Sequence, residues 1–338
     1  MAKRKKRGSK LTQIADSSGE QAEYQQHWHQ GDLVVQGFRR LHSKYSLRPN
    51  ESPAESLQES LSSLSLDNEA EFKPVLLDQL QFHLLPLLLR QITSLAQSLN
   101  RFSLINDPGP TLQLILEIQA ELEPTIDHIQ SNITTIFPGS ISSPHRADDN
   151  HLGVFKSYRL GYLKCLFNQS GLLFNLRIIS LRGYELIQEI KLSSEKPEDK
   201  SGDDPPPPDE LGNYLQRTLH LINSAIMYVK GSELDIAQEF WRLQLRPMQS
   251  VIEEMAAMAN PQSNSTNDGQ RPMMMGKQLD HEPAIHLARL LIPIIKLCKI
   301  FFVKISKRGM NSKRLPVFTK MSSEQIQSLA DSMGDINS

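Results

Sequence analysis

Residues 282–305 read EPAIHLARLLIPIIKLCKIFFVKI and form the most apolar run of the sequence. Apolar residues recur in it every three or four positions, the spacing that places side chains on one face of an α-helix. They are Leu287, Leu291, Ile294, Cys298, Phe301 and Ile305. Cations lie within about 140° on another face. They are Arg289, Lys296, Lys299, Lys304 and Lys307. The pattern predicts the closing helix of an all-α bundle, with a wide apolar face in the core and a basic face in water.

The composition places the chain among intracellular proteins. The net charge of −1 over 338 residues indicates neither a nucleic-acid partner nor a membrane partner. Cys165 and Cys298 lie in apolar runs, which argues against a disulfide framework and favours a reducing compartment, the cytoplasm or the nucleus. Cations inside residues 282–305 are costly in hydrocarbon, so we predict a core helix there rather than a membrane span.

Further helical stripes predict an antiparallel bundle of about five to seven long helices. The clearest stripes cover residues 74–99, 111–137, 152–192, 211–230 and 234–255. Several of these patterns contain an interior proline, which removes a backbone hydrogen bond and clashes with the preceding turn. The prolines are Pro86, Pro124, Pro247 and Pro293. We therefore expect curved or kinked helices.

The bundle is predicted to be a single domain over residues 73–325, because helices on both sides of an acidic, Pro-rich stretch are needed to enclose one core. The segments around and within it are predicted from their polar composition. They are a disordered basic and polar tail at 1–30, short and partly flexible helices at 31–72, loops at 193–208 and 260–278, and a flexible tail at 326–338.

The sequence holds no pattern of residues that predicts catalysis, a cofactor or a metal. His281 and His286 flank a proline in a stretch similar to a zinc-protease motif, but they lie five residues apart, whereas that motif needs a spacing of four. The helix turn would separate them by about 140°. We therefore predict that the chain is not an enzyme and has no catalytic, cofactor-binding or metal-binding residues.

A compact basic cluster near the start of the chain has two interpretations. It comprises Lys3, Arg4, Lys5, Lys6 and Arg7. It is typical of a nuclear-import signal, in which exposed cations meet an acidic receptor groove. The alternative is a solvated tail.

The basic face of residues 282–305 is a candidate interaction face. It is suited to an acidic partner, a membrane surface or a calmodulin-like groove, and the alternative is the solvated side of a core helix. We expect a non-catalytic adaptor or regulatory protein with an unidentified protein partner. A peripheral binder of membranes or acidic surfaces is the second hypothesis, and an enzyme with an unrecognised pocket is the third. The sequence leaves the oligomeric state open.

Five stretches resemble an expanded, uncharacterised protein family of rust fungi. They are FKPVLLDQL at 72–80, LLPLLLRQITSL at 84–95, NDPGPTLQLILEIQAELEPTID at 106–127, IMYVKGSELDIAQEFW at 226–241, and LIPIIKLCKIFFVKISKRGMNSKRLPVFTKMSSEQI at 291–326. That resemblance implies no established activity. More distantly, the helix order and KGSELD at 230–235 are similar to the helical bundles of cyclin-D-interacting proteins, and this implies a protein-binding bundle.

Overall fold

The computed structural model describes residues 27–46, 69–138, 147–168, 170–195, 210–259, 282–310 and 315–332. Every secondary-structure element in these ranges is a helix, which confirms the predicted all-α class. No helix in the described ranges is long and apolar enough to span a bilayer. The predictions for residues 1–26, 47–68, 196–208, 260–278 and 333–338 lie outside the described residues.

The helices group into two compact units. The first unit comprises residues 1–140 and 160–229, and the second comprises residues 141–159 and 230–338. The sequence predicted a single domain over residues 73–325. Whether the two units unfold as one domain stays a prediction.

The first unit contains helices from α1 to α8, with α6 and α8 having residues in both units. Their bounds are α1 Trp28–Ser46, α2 Glu69–Gln79, α3 Leu85–Ser98, α4 Arg101–Asn106, α5 Pro108–Ile136, α6 Ser157–Leu166, α7 Leu172–Glu189 and α8 Glu210–Lys230. A π-helical turn, Leu80–Leu84, joins α2 to α3, and the Leu85 N–H donates to the Leu80 carbonyl. This wider turn directly precedes Pro86, whose ring would clash with a normal preceding turn.

Helix α1 lies in the core of the first unit, where it packs on α5 and α7. One side of it is buried, at Val34, Val35, Phe38, Leu41 and Tyr45. Gly31 allows the close approach to the chain after α7, because an added Cβ would lie 1.7 Å from the Leu192 carbonyl oxygen. The sequence predicted a short, partly flexible element here. The helix was predicted, but the burial of one side of it depends on contacts with α5 and α7, which are distant in sequence.

Polar contacts also hold α1 in place. Lys44 Nζ lies 3.0 Å from a Glu123 oxygen and 2.7 Å from an Asp127 oxygen, both on α5. Asp32 accepts hydrogen bonds from the hydroxyls of Ser193 and Ser194, at 2.5 Å and 2.7 Å. Residues 193–195, which the sequence assigned to a loop, therefore form part of the packing of α1.

The second unit is built on an antiparallel pair of helices, α9 Glu233–Ala259 and α10 Glu282–Lys304. A 3₁₀ segment, Asp149–Phe155, a π turn, Ile305–Met310, and α11 Ser323–Asp331 complete it. Its core is a cluster of Trp241, Met248 and Phe302, with Leu245, Ile295, Cys298, Ile305 and Leu329 packed around it. The rings of Trp241 and Phe302 meet edge to face, with centroids 5.1 Å apart.

Helix α11 begins with a capping box in which the Ser322 hydroxyl accepts from the Gln325 N–H and the Gln325 side chain accepts from the Ser322 N–H. It packs on α9 and buries Ile326 and Ala330. The Trp241 indole N–H donates to the Leu329 carbonyl at 3.0 Å. The expected flexible tail from residue 326 is thus helical as far as residue 331, because its short apolar face completes the cluster around Trp241.

Candidate functional site

Helix α10 has two apolar sides, and only one of them is covered. Towards α9 it buries Ala288 and Phe302 and half-buries Leu291, Ile295 and Cys298. Ile305, in the π turn that follows, is half-buried as well. Along the other side, five large apolar side chains are between 54% and 66% exposed. They are Leu287, Leu290, Ile294, Leu297 and Phe301, and we call them the apolar stripe.

The apolar stripe corrects the prediction that all of the apolar face of residues 282–305 is buried. Leu287, Ile294 and Phe301 were assigned to the core and are more than half exposed. The reason is that α10 packs along one side on α9, while its apolar arc is wider than one neighbouring helix covers.

The spacing of the apolar stripe is regular. Its members are three, four, three and four residues apart, which is the a and d pattern of a coiled-coil seam. From Leu287 to Phe301 the stripe is about 21 Å long at 1.5 Å per residue. Ile300, which is 51% exposed, widens it on one side. The buried side, which runs from Ala288 to Phe302, has the same three- and four-residue spacing, so this pattern does not distinguish the open side from the buried one.

The five predicted cations, four in α10 and Lys307 in the π turn after it, do not form one free face. Arg289 donates to the Ala259 carbonyl at 2.9 Å, and Lys299 donates to the Gln249 side chain at 2.7 Å, so both tie α10 to α9. The remaining three, Lys296, Lys304 and Lys307, are exposed. The candidate interaction face is therefore the apolar stripe with these three lysines beside it.

The second unit also contains a buried polar cluster, which sequence reasoning missed. Lys156 Nζ lies 3.0 Å from each carboxylate oxygen of Glu233, at the first residue of α9. The same ammonium donates to the Thr319 carbonyl at 2.7 Å, and Glu233 accepts from the N–H and the hydroxyl of Thr319. The ion pair is thus hydrogen-bonded on both partners, the condition under which a buried pair is tolerated.

Arg159 joins the same cluster. Its guanidinium donates to the carbonyls of Gly231 and Val317, each at 2.8 Å. Burial lowers the pKa of this guanidinium below its ordinary value, while Glu233 acts in the opposite direction. The side chain therefore connects the start of α6 to the turn before α9 and to the chain before α11.

Asp149 serves two helix starts at once. Its carboxylate accepts from the N–H groups of Ser157, in the first turn of α6, and Ser323, in the first turn of α11, at 2.9 Å and 2.7 Å. Burial acts to raise the pKa of Asp149, but the hydrogen bonds from Ser323 and Ser157 outweigh it and hold the pKa below its ordinary value. One carboxylate thus caps the first turns of two helices.

The chemistry of this cluster is structural. Lys156 and Glu233 have no exposed side-chain surface, so neither presents an atom to a substrate. Within the described ranges, no three His, Cys, Asp or Glu side chains are grouped as metal ligands. His281 of the zinc-protease-like stretch and the basic cluster from Lys3 to Arg7 lie outside the described residues.

Comparison with known families gives two adjacent matches. Residues 73–230 match a domain of unknown function, DUF8723, and residues 232–338 match another domain of unknown function, DUF8721. No curated protein and no solved structure shows significant similarity. The two matches meet at the turn between α8 and α9. The boundaries of the matches differ from those of the two units. Helix α1 precedes the first match, and residues 141–159, which belong to the second unit, lie within the first match.

Proposed function

We propose that this chain is a non-catalytic helical protein that binds another protein through the apolar stripe of α10. The observation that carries the proposal is the exposure of Leu287, Leu290, Ile294, Leu297 and Phe301 in one continuous line. Single exposed apolar residues are common on soluble proteins, but aligned groups of them mark interaction surfaces.

The energetics support an interface. Each large apolar side chain contributes about 1.5–3 kcal/mol when it moves from water to a fully buried site. Complete burial of the five half-exposed side chains would therefore contribute several kcal/mol of free energy beyond what the second unit alone gains. A helix that packs on this stripe would gain most of that free energy, in addition to the stability of α10 itself.

The non-catalytic part of the proposal rests on how the charged groups are used. Lys156, Glu233 and Arg159 are buried and hold helix ends and loops together. The distant similarity of KGSELD to cyclin-D-interacting bundles points to the same class of protein. An adaptor or regulatory protein of the cytoplasm or the nucleus is the function that accords with these features.

A second candidate is a peripheral binder of anionic membranes. The observation in its favour is that Lys304 and Lys307 lie at the end of the apolar stripe, as cations do on helices that lie in a membrane interface. A pelleting assay with vesicles that contain anionic lipid distinguishes this candidate from the first.

The experiment for the leading proposal is proximity labelling in the native cell. It compares the unchanged chain with the double variant Leu290→Ser/Leu297→Ser, and the matched control is Leu114→Ser, an exposed leucine of α5. We expect a defined set of proteins to be labelled by the unchanged chain and the control, and to be lost with the double variant. Identical sets for all three chains, at equal expression, would overturn the proposal.

A further inference from the structure

The charges around the apolar stripe point to the kind of partner. We infer that the stripe is the docking site for an acidic amphipathic α-helix of another protein, which packs along α10 in heptad register. This inference rests on the proposed function and adds the secondary structure and the charge of the partner.

The helical form of the partner follows from the spacing of the stripe. Side chains three and four residues apart form a narrow seam, and only another helix presents knobs to such a seam at the same intervals. A length of about 21 Å matches two heptads of a partner helix. An extended strand would need backbone hydrogen bonds that α10, whose amides are used within the helix, does not offer.

The acidic character follows from the charges beside the seam. From residue 283 to residue 307 the sequence contains Arg289, Lys296, Lys299, Lys304 and Lys307 and no Asp or Glu. Lys304 lies three residues after Phe301, at the next position of the a and d pattern. Lys296 and Lys307 are exposed on the flank next to Ile300, and Lys296 lies about 100° round the helix from Leu297. Long lysine side chains reach across an apolar surface with their ammonium groups at its rim, where carboxylates of a partner would meet them.

A second copy of the chain fits this surface poorly. Two copies of residues 287–304 packed on each other would bring eight cations together, Arg289, Lys296, Lys299 and Lys304 from each copy, with no carboxylate from either segment. Like charges at the edges of a helix pair destabilise it and are a common means of preventing self-pairing. The charges therefore favour a different chain.

An anionic lipid surface is also less well matched. Helices that lie in the membrane interface carry cations along their whole polar face. Here two of the five cations are bonded to α9, so only Lys296, Lys304 and Lys307 remain exposed without a bond to that helix.

The test uses the full chain and two synthetic peptides of about 21 residues, each with leucine at every a and d position. One peptide carries Glu at its e and g positions and the other carries Lys, with Ala and Gln elsewhere. Fluorescence anisotropy measures the Kd for each, below the concentration at which the peptides associate. We expect the acidic peptide to bind at least about tenfold more tightly at about 50 mM NaCl, and the preference to diminish at about 500 mM.

Two sets of variants separate the seam from its charges. Leu290→Ser/Leu297→Ser should weaken binding of the acidic peptide by at least about tenfold, since it removes the centre of the seam. Lys304→Gln/Lys307→Gln should retain binding but lose most of the preference for the acidic peptide. The matched controls, Leu114→Ser and Arg90→Gln, change exposed residues of the first unit and should leave both affinities unchanged.

The possible failures are distinguishable. Equal affinity for both peptides would overturn the acidic partner while leaving helix docking, and with it the proposed function, intact. Absence of binding to either peptide would overturn the docking of a helix on this surface. A concentration-dependent dimer in sedimentation, abolished by Leu290→Ser/Leu297→Ser, would assign the stripe to a second copy. Binding to vesicles of phosphatidylcholine and phosphatidylserine that requires the same leucines would assign it to lipid.

Discussion

The ammonium of Lys156 lies 3.0 Å from both carboxylate oxygens of Glu233, and neither side chain has any exposed surface. The pair connects the segment before α6 to the first turn of α9. Because Thr319 bonds to both partners, the chain before α11 is held by the same contact. One ion pair therefore joins three stretches that are far apart in sequence.

Breaking this pair should be costly. Lys156→Met leaves the Glu233 carboxylate buried without its counter-charge, so we expect a loss of about 3–5 kcal/mol in the free energy of unfolding. The control is Lys304→Met, an exposed lysine for which the change should stay within about 0.5 kcal/mol. Urea unfolding of the two variants checks this. Equal stabilities would mean that water reaches the pair in solution.

Acid should weaken the contact that Asp149 makes with Ser157 and Ser323. The pKa of Asp149 is held below its ordinary value in the folded chain, so its stabilising effect is fully present above the unfolded pKa of about 3.9. It is lost as the pH falls through the folded pKa. We expect Asp149→Asn to be less stable than the unchanged chain by a constant amount between about pH 7 and pH 5, and the difference to shrink below about pH 4.

Urea unfolding at several pH values measures that difference. Asp78→Asn, which removes an exposed carboxylate from α2, corrects for the general effect of losing one negative charge. A difference between the unchanged chain and Asp149→Asn that grows as the pH falls would contradict the assigned sign.

Local signals in the sequence identified most of the helices. A stripe of apolar residues predicted a helix over residues 111–137, and α5 spans Pro108–Ile136. Ser232 precedes α9, and its hydroxyl accepts from the Asp235 N–H in the first turn, a local capping contact. Such features depend on residues within one or two turns of each other, and they can therefore be recognised from the sequence alone.

The features that sequence reasoning missed depend on contacts between distant residues. The central position of α1 requires Gly31 to meet the carbonyl of Leu192, and the polar cluster requires Lys156 to meet Glu233. For the candidate site, Leu287, Ile294, Phe301 and the five cations were identified from the sequence, whereas Leu290 and Leu297 were not. Which apolar side faces α9 is decided by packing, and no periodicity in one helix contains that information.

The burial of α1 predicts a strong effect at Phe38. Phe38 is fully buried between helices of the first unit, so Phe38→Ala should lower the free energy of unfolding by about 3–5 kcal/mol through lost apolar contact and the cavity that remains. Phe102→Ala, at a phenylalanine of α4 that is 75% exposed, is the matched control and should change it by about 0.5 kcal/mol or less. Similar melting temperatures for both variants would show that α1 is only loosely attached.

The composition of the second unit predicts how fragments behave. A fragment of residues 232–332 lacks Lys156 and Asp149, so Glu233 and the first turn of α11 lose their partners. We expect neither this fragment nor residues 27–230 to unfold cooperatively when expressed alone, in agreement with the single folding domain predicted from the sequence. Differential scanning calorimetry decides the matter, since a sharp transition in either fragment would establish an independent domain.

Neighbouring phenylalanines of α10 provide the most direct comparison of its two sides. Phe302 is 7% exposed and packs edge to face on Trp241, whereas Phe301 is 57% exposed on the apolar stripe. Phe302→Ala should lower the free energy of unfolding by about 3–5 kcal/mol, because it removes a ring from the core cluster. Phe301→Ala should lower it by about 1 kcal/mol or less, since most of that ring is already in water. The sequence alone predicted a large loss at Phe301 as well.

Urea unfolding of the two variants, combined with their affinities for the acidic peptide, tests both sides of α10 together. We expect Phe301→Ala to retain stability and lose affinity. Phe302→Ala should lose stability, and it should retain affinity under conditions in which the chain is still folded. If Phe301→Ala were as destabilising as Phe302→Ala, the stripe would be covered within the chain in solution, and α10 would be the closing core helix that its sequence predicted.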